Sequence, residues 1–256
     1  MATCYYKTQL RTGAEKRAYD NYVGSVLDFK RYICFKGMDR KTVDRVKRAA
    51  ILDHPEIHFL TESYSYEISS PDSVVLRMNY KMPRENGRKI LHTLDKLAKR
   101  LICDAKKAGC VSQLEIAAYL HDFLTDKICY TKGDTSLERN HNVLGGLINL
   151  ETVCDGYSQI YLFLLDRAGI PALYVGGRIS GGSDNGHAWN QVCIDGIYYN
   201  VDVTFDSNGR GRQGDWDYFM LSDDDFRAKK HIVDKGFALP KCPRTMTLDR
   251  ANRRIA

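Results

Sequence analysis

The segment Cys154–Ala168 constrains the fold most, because its pattern is that of a helix that is apolar almost all the way round. Leu162 and Phe163 add apolar surface beside a face whose residues recur at helical spacing: Tyr157, Ile160, Tyr161, Leu164, Leu165 and Ala168. A helix of this kind needs other elements to cover it, which predicts a central buried helix. Gly169-Ile170-Pro171 ends it, since glycine suits a left-handed cap and proline cannot continue a helix.

The composition places this helix in a folded chain without a membrane span. The 256 residues are 43% hydrophobic and 27% charged, and they suffice for one large domain or two small ones. The longest strongly apolar run, Ile160–Leu165, is far shorter than the roughly 20 residues that cross a bilayer. The net charge of +6 is dispersed, and no nucleic-acid-binding signature accompanies it.

The first eighty residues predict two amphipathic helices and then a short hairpin. One helix precedes Asp28 and the next follows Asp39, and their apolar faces are Tyr19, Tyr22, Val23, Val26 and Leu27, then Val43, Val46 and Ala50. Strands are expected at about 64–68 and 74–80. Met82–Gly87 is the best linker candidate. We therefore expect an N-terminal helical and hairpin region over 1–82, a main domain over 88–240 and a basic C-terminal tail over 241–256.

Within the main domain, helices come first and strands follow. A long amphipathic helix lies between 88 and 105, and Ser112-Gln113-Leu114-Glu115 is a capping box that opens the next helix. After the buried helix, the pattern predicts strands at 172–179, 187–194, 197–204 and about 217–221.

A two-residue turn brings two reactive side chains together in this strand region. Asp195-Gly196 between strand-like runs is a strong hairpin signal, and such a turn pairs Ile194 with Ile197. In that register His187 and Asp202 are diagonal neighbours on one face, roughly 7–8 Å apart at the backbone. Side chains that lean inward close this gap to a hydrogen bond.

Cys154, His187 and Asp202 together supply what nucleophilic acyl transfer needs. Cys154 stands at a helix start, where free backbone N–H groups and the helix dipole favour a thiolate. His187 can take and return the proton, and Asp202 can orient His187. Each residue alone has an ordinary structural explanation, and the combination carries the prediction. The backbone N–H of Cys154 is one candidate oxyanion donor, while the second donor stays open.

The same residues resemble a known family. Val153-Cys154-Asp155-Gly156-Tyr157-Ser158, Gly186-His187-Ala188-Trp189-Asn190 and Val201-Asp202-Val203-Thr204, in this order and spacing, are similar to the transglutaminase-like superfamily, with the papain-like arrangement of Cys, His and Asp. The resemblance covers roughly 110–240. Asp53-His54-Pro55-Glu56 is similar to N-terminal extensions of bacterial members. Tyr198 stands where members often carry tryptophan.

The resemblance implies an α+β fold, with the nucleophile helix packed on an antiparallel sheet that carries His187 and Asp202. Residues 88–240 would then form a transglutaminase-like catalytic domain. The resemblance also implies thiol-dependent acyl chemistry on an amide. We therefore expect a cysteine protease or acyltransferase, with a bacterial-type thiol hydrolase as the leading interpretation.

Several further residues are candidates around the triad. Substrate contacts are expected from Asp155, Tyr157 and Trp189, although core packing explains the last two equally well. His141 and Asn142 are candidates for the missing oxyanion donor. The glycine pairs at 176–177 and 181–182 suggest a flexible lid over the site.

Alternatives to a hydrolase remain open at this stage. A transglutaminase would transfer the acyl group to an amine, and a silent binding module would keep the fold without turnover. Peptide N-glycanase activity is less favoured, since the usual zinc-binding cysteine pairs are missing. No cofactor and no metal are expected: His54, His58, His92 and His231 lack ligand spacing. We expect a peptide or protein substrate, and no nucleic-acid or membrane partner. A cytoplasmic location is expected, with a secreted form whose signal peptide has been removed as the open alternative. The sequence leaves the oligomeric state and disulfides undetermined.

Overall fold

The computed structural model describes residues 4–58, 60–70, 73–181, 186–207 and 216–247. The described chain divides into two compact units, one within Cys4–Thr93 and the other from Leu94 onward. None of the described helices is long and apolar enough to cross a bilayer.

The first unit combines helices with a three-stranded sheet. Its elements are α1 (Tyr5–Thr8), α2 (Gly13–Leu27), β1 (Tyr32–Lys36), α3 (Arg40–Asp53), α4 (Pro55–His58), β2 (Thr61–Ser70) and β3 (Ser73–Tyr80). The sheet is antiparallel with the order β1-β3-β2. The two predicted helices and the hairpin are confirmed, and Thr12 and Asp39 cap α2 and α3 through their side chains. The sequence analysis did not predict β1.

Two helices follow, and the first replaces the expected linker. Helix α5 (Arg84–Lys107) begins inside the segment predicted as a linker at 82–87, so that prediction is wrong. Its end makes a turn before α6 (Gln113–Lys127), whose predicted capping box between Ser112 and Glu115 is confirmed. The short strands β4 (Cys129–Tyr130) and β5 (Glu151–Thr152) then pair in parallel.

The second unit is built around α7 (Cys154–Ala168), which has the predicted bounds and a left-handed Gly169 cap. It is followed by β6 (Ala172–Ile179), β7 (His187–Ile194), β8 (Ile197–Val201), α8 (Val203–Asp206), α9 (Asp223–Ala228) and β9 (His231–Val233). The four strands form an antiparallel sheet in the order β8-β7-β6-β9, and α7 packs on β6 and β7. The expected α+β fold, with a buried helix on an antiparallel sheet, is therefore confirmed.

The hairpin between β7 and β8 has the predicted register at its turn. Ile194 pairs with Ile197, and both turn residues have positive φ, 51° at Asp195 and 81° at Gly196. These angles suit the two-residue turns that match the twist of paired strands. Strand β8 is shorter than predicted, because the chain turns into α8 after Val201.

The strand predicted at about 217–221 is wrong. Only Leu221 bridges to Asn200, at the edge of β8. Met220 has φ 57°, a left-handed conformation that an extended strand cannot contain. The residues before it therefore form turns.

The start of the expected C-terminal tail packs on the second unit. Cys242 is buried, and the backbone N–H of Met246 donates to the carbonyl of Met220 at 3.0 Å. The rest of that tail, from residue 248, lies outside the described residues.

Candidate active site

Three elements bring Cys154, His187 and Asp202 to one place. Cys154 is the first residue of α7, and His187 is the first residue of β7. Asp202 directly follows β8 and caps α8, where its Oδ1 accepts the backbone N–H of Phe205 at 3.1 Å. The short hairpin therefore carries the histidine and the aspartate, and the buried helix carries the thiol.

His187 and Asp202 form a short and nearly buried hydrogen bond. His187 Nε2 lies 2.6 Å from Asp202 Oδ2, and the Asp202 side chain is fully buried. Burial disfavours the charged imidazole, but the interactions with Asp202 and Cys154 raise the pKa of His187 to about 10. His187 thus carries a positive charge at neutral pH beside Cys154.

A second histidine shares the same carboxylate. His231, in β9, places Nε2 at 2.9 Å from Asp202 Oδ2, and its side chain is buried. Burial opposes ionisation of Asp202, but the hydrogen bonds from His187 and His231 hold its pKa below the ordinary value. Because a carboxylate only accepts, His231 donates from Nε2, and its Nδ1 is buried without a partner in the described structure.

Sequence reasoning did not find His231 as a partner of Asp202, and considered it only as a metal ligand, for which its spacing gave no support. His187, Asp202 and His231 are a donor set of the kind that binds metal ions, with ligand atoms within 4.8 Å of one another. Two ligands of one tetrahedral metal lie about 3.3 Å apart, given metal–ligand bonds of about 2.0 Å. The 2.6 Å contact is shorter, and it fits a hydrogen bond better.

The start of α7 presses closely on the preceding loop. A side chain at Gly156 would place its Cβ 2.6 Å from the carbonyl oxygen of Asn140, so only glycine fits in this approach. No side chain caps the helix at Val153, and the first backbone N–H groups remain available. Those groups surround Cys154, where an oxyanion would form.

A cavity of about 540 Å³ opens in front of Cys154 and His187. Its size lies in the ordinary range of ligand sites. The lining residues come from β4, the loop before α7, the start of α7, strands β6 and β7, and the residue after β9: Tyr130, Thr135, His141, Val153, Cys154, Asp155, Tyr174, Gly176, Gly177, Gly186, His187, Ala188 and Asp234.

Of the three expected substrate contacts, the structure places only Asp155 at this cavity. Tyr157 is fully buried, and its hydroxyl donates to the carbonyl of Ile128 at 2.6 Å. Trp189 is 1% exposed, and its ring packs 6.1 Å from the His187 ring. Expecting these two in the substrate groove was therefore wrong: both belong to the core that supports the triad.

The candidates for the second oxyanion donor are also placed differently. Asn142 is buried and does not line the cavity, and its amide donates to the carbonyl of Glu138 at 3.0 Å. His141 lines the cavity and lies 3.5 Å from Asp155 Oδ2. Tyr130, which sequence reasoning missed, lines the cavity too. Burial, and then the charge on Cys154, raise the pKa of the Tyr130 hydroxyl, which stays protonated.

The glycines expected to form a lid lie partly in the sheet. Gly176 and Gly177 are inside β6, where they pair with Ala188 and His187 of β7. That half of the lid prediction is wrong, because strand pairing on both sides holds these residues. Gly182 lies outside the described residues.

Comparison with known families agrees with this geometry. Residues 98–203 match the profile of the transglutaminase-like superfamily. The match includes Cys154, His187 and Asp202. Residues 98–203 therefore resemble the transglutaminase-like superfamily, which supports the resemblance seen in the sequence.

Solved structures with similar folds include a TGase and two further proteins. The TGase is 16% identical, with 68% of this chain and 50% of that chain covered and a TM-score of 0.39. A provisionally assigned cysteine protease from Cytophaga hutchinsonii is 16% identical, with 56% and 57% covered and a TM-score of 0.36. The periplasmic domain of TgpA from Pseudomonas aeruginosa, bound to ethylmercury, is 21% identical, with 52% and 55% covered and a TM-score of 0.33. This chain spans about half the length of these proteins. No curated protein sequence matches it.

Proposed function

We propose that this protein is a cysteine-dependent enzyme that hydrolyses amide bonds of peptides or proteins through an acyl-enzyme. One observation carries the proposal: Cys154 and His187 line the same cavity, and the buried Asp202 lies behind His187, 2.6 Å from its Nε2. A structural role for each residue would not require the thiol and the imidazole to meet at a cavity.

In the first step, the Cys154 thiolate attacks the carbonyl carbon of the amide. A sulfur–carbon bond forms, and the carbonyl electrons move to oxygen. When the tetrahedral intermediate collapses, the carbon–nitrogen bond breaks, and the His187 imidazolium gives its proton to the leaving amine. Asp202 stabilises the charged imidazole before the transfer and orients the ring throughout.

The oxyanion needs donors at the position where its charge develops. The backbone N–H of Cys154 is one, since the N-cap residue Val153 makes no side-chain hydrogen bond to the first turn of α7. We assign the second to the Tyr130 hydroxyl, which lines the same cavity and stays protonated. Loss of one such donor typically lowers kcat by about 10²–10³-fold. We expect a loss of that order for Tyr130→Phe, with KM changed much less.

In the second step, neutral His187 takes a proton from water, which attacks the thioester and releases the acid. An amine that attacked in place of water would make the enzyme a transglutaminase, through the same acyl-enzyme. The relative rates at which water and an amine attack this one acyl-enzyme therefore decide between hydrolysis and transamidation.

The test measures cysteine alkylation and then turnover. Iodoacetamide with peptide mass spectrometry should label Cys154 faster than the half-buried Cys110, which is not at the cavity. Glutamine-containing peptides are then incubated with and without a primary amine. Cys154→Ala should abolish product formation, and the control Cys110→Ala should leave it intact.

Each outcome of this test has a defined meaning. Acid product in the presence of the amine supports the hydrolase, and an amine adduct in its place identifies a transglutaminase. If Cys154 reacts no faster than Cys110 and no peptide is turned over, the fold serves as a binding module.

A further inference from the structure

The first unit contains a second cluster of cysteine, histidine and carboxylate, which the proposed reaction does not use. Cys4 Sγ lies 3.7 Å from His54 Nε2, and His54 Nδ1 lies 3.1 Å from Glu56 Oε1. The imidazole therefore connects a thiol on one side with a carboxylate on the other. This connectivity is that of a nucleophile, its base and the group that orients the base.

The surrounding backbone holds this cluster in place. Asp53, at the end of α3, accepts the backbone N–H groups of Tyr6 and Lys7, each at 2.9 Å. It also accepts the Tyr19 hydroxyl at 2.9 Å. The segment that follows Cys4 is thus attached to the residue that precedes His54. The contact between thiol and imidazole is a consequence of this attachment.

The groups around His54 keep its imidazole protonated. Burial disfavours the charged form, but the interactions with Cys4 and Glu56 raise the pKa of His54 to about 10. In general, an imidazolium beside a thiol favours the thiolate, which is the reactive form. Cys4 is half-buried and the His54 side chain is 20% exposed, so the cluster is partly open to solvent.

We propose that Cys4 is a second activated thiol, a modification site for small electrophiles, with hydroperoxides as the oxidising class. The thiolate sulfur attacks a peroxide oxygen, a sulfur–oxygen bond forms and the oxygen–oxygen bond breaks. The sulfur is oxidised to a sulfenic acid, and the peroxide is reduced. The leaving oxygen takes its proton from His54 and departs as water or an alcohol. This site is independent of the proposed amide hydrolysis.

Two other cysteines serve as controls, because they are more exposed than Cys4 but have no neighbouring imidazole in the described structure. Cys34 in β1 and Cys103 in α5 are exposed, whereas Cys4 is only half-buried. Within the described ranges, neither has an imidazole at hydrogen-bond distance. If exposure governed reactivity, these two thiols would react before Cys4.

The experiment uses the full chain with Cys154→Ala, which removes the proposed nucleophile. Limited iodoacetamide labelling at pH 7, followed by peptide mass spectrometry, gives one rate for each cysteine. We expect Cys4 to react at least about tenfold faster than Cys34 and Cys103, since an ordinary thiol is only a few per cent thiolate at this pH. Hydrogen peroxide with a dimedone trap should then label Cys4 as a sulfenic acid.

Three variants test the cause. His54→Gln should bring the Cys4 rate to that of Cys34 or below, and the milder Glu56→Gln should lower it in part. His92→Gln, which removes an exposed imidazole from α5, should leave it unchanged. The proposal is overturned if Cys4 reacts no faster than the exposed pair, or if folded Glu56→Gln and His54→Gln proteins keep the full rate. Rapid alkylation without dimedone labelling would overturn the oxidative part.

Discussion

At the scale of residues, Asp202 is the group on which the proposed site depends most. It is fully buried and accepts N–H groups from three places: Phe205 of its own helix, His187 of β7 and His231 of β9. A buried carboxylate without such donors would be costly to ionise. We infer that His231 positions Asp202 and shares its charge with His187.

Replacing His231 should therefore move the pH profile as well as the rate. His231→Leu leaves the carboxylate charge to His187 alone, which raises the pKa of His187 above its present value of about 10. The charged imidazole is lost as pH rises through that pKa, so the alkaline limb of kcat/KM should move to higher pH. We also expect kcat to fall by about tenfold, because Asp202 loses a fixing donor.

The control for this prediction is His231→Gln, whose amide keeps an N–H donor at similar reach. It should restore most of the rate and the original alkaline limb. If the alkaline limb of kcat/KM does not move in folded His231→Leu protein, His231 has only a packing role.

The sequence indicated the triad but not this third donor, for a physical reason. His187 and Asp202 are joined by a two-residue turn whose register follows from Asp195-Gly196 alone. His231 reaches Asp202 only because β9 pairs with β6, a contact between distant parts of the chain. Strand β9 has only three residues, which is too short for an alternating pattern of apolar and polar residues to be recognised in the sequence. Tyr157 and Trp189 were wrongly predicted to contact substrate. The sequence pattern of an aromatic residue close to catalytic residues is the same whether its ring lines a groove or packs in the core.

At the scale of elements, β6 packs so closely at Gly177 that only glycine fits there. A Cβ at Gly177, opposite His187, would lie 2.3 Å from the carbonyl oxygen of Ile232 in β9. Gly177→Ala should therefore cost about 1–3 kcal/mol of unfolding free energy through overpacking. It should also lower activity, because the start of β7 must shift. Urea unfolding and peptide turnover measure the two effects.

The adjacent glycine is a matched control. A Cβ at Gly176 would find its nearest neighbour, Tyr174 Cε1, at 3.8 Å, which is ordinary contact. Gly176→Ala should keep the wild-type unfolding free energy within about 0.5 kcal/mol. Equal losses from both substitutions would mean that strand flexibility, not close packing, explains these glycines.

A buried ion pair fixes α8, the helix that Asp202 caps. His121 of α6 lies between Asp206 Oδ2 at 3.1 Å and Asp122 Oδ1 at 3.2 Å. Burial opposes its charge, but these two carboxylates raise the pKa of His121. Burial raises the pKa of Asp206 to about 6. At a pH above about 6 and below the raised pKa of His121, Asp206 and His121 are both charged and stabilise each other.

His121→Leu should therefore destabilise the protein strongly, and more at pH 8 than at pH 5. At pH 8 the substitution leaves the Asp206 charge buried without its partner, which costs about 3–5 kcal/mol. At pH 5 Asp206 is largely protonated, so less charge is left unpaired and the loss is smaller. Urea unfolding at the two pH values gives the difference. His92→Leu, at an exposed position, should change neither by more than about 0.5 kcal/mol.

Most elements could be predicted from the sequence because their signals are local. The capping box at Ser112 and the Gly169-Ile170-Pro171 stop act within one helix turn, and the structure confirms both. The errors came where distant contacts decide. Residues 84–87 contain an asparagine and a glycine that suggest a linker, yet Gly87 is packed so closely that a Cβ would lie 2.1 Å from the Phe29 ring.

At the scale of the whole molecule, the candidate active site lies within one unit. Every residue of the site comes after Thr93, where the first unit ends. Helix α5 crosses that boundary, so a fragment that starts at Arg84 keeps the helix intact. We expect residues 84–256 to fold and to alkylate Cys154 within about twofold of the full-chain rate, as a compact unit with its own core should.

The matching fragment, residues 94–256, removes the first ten residues of α5 and is expected to be less stable. Circular dichroism and the alkylation assay compare the two fragments with the full chain. A tenfold slower reaction of Cys154 in the longer fragment would show that the first unit takes part in the chemistry.

The three donors to Asp202 also bear on the order in which the proposed site is completed during synthesis. A ribosome makes Cys154 first, then His187 and Asp202, and His231 almost thirty residues later. Until β9 has left the ribosome and joined the sheet, Asp202 lacks one of its three donors. A nascent chain therefore presents the Cys154 thiol before the hydrogen bonds around Asp202 are complete.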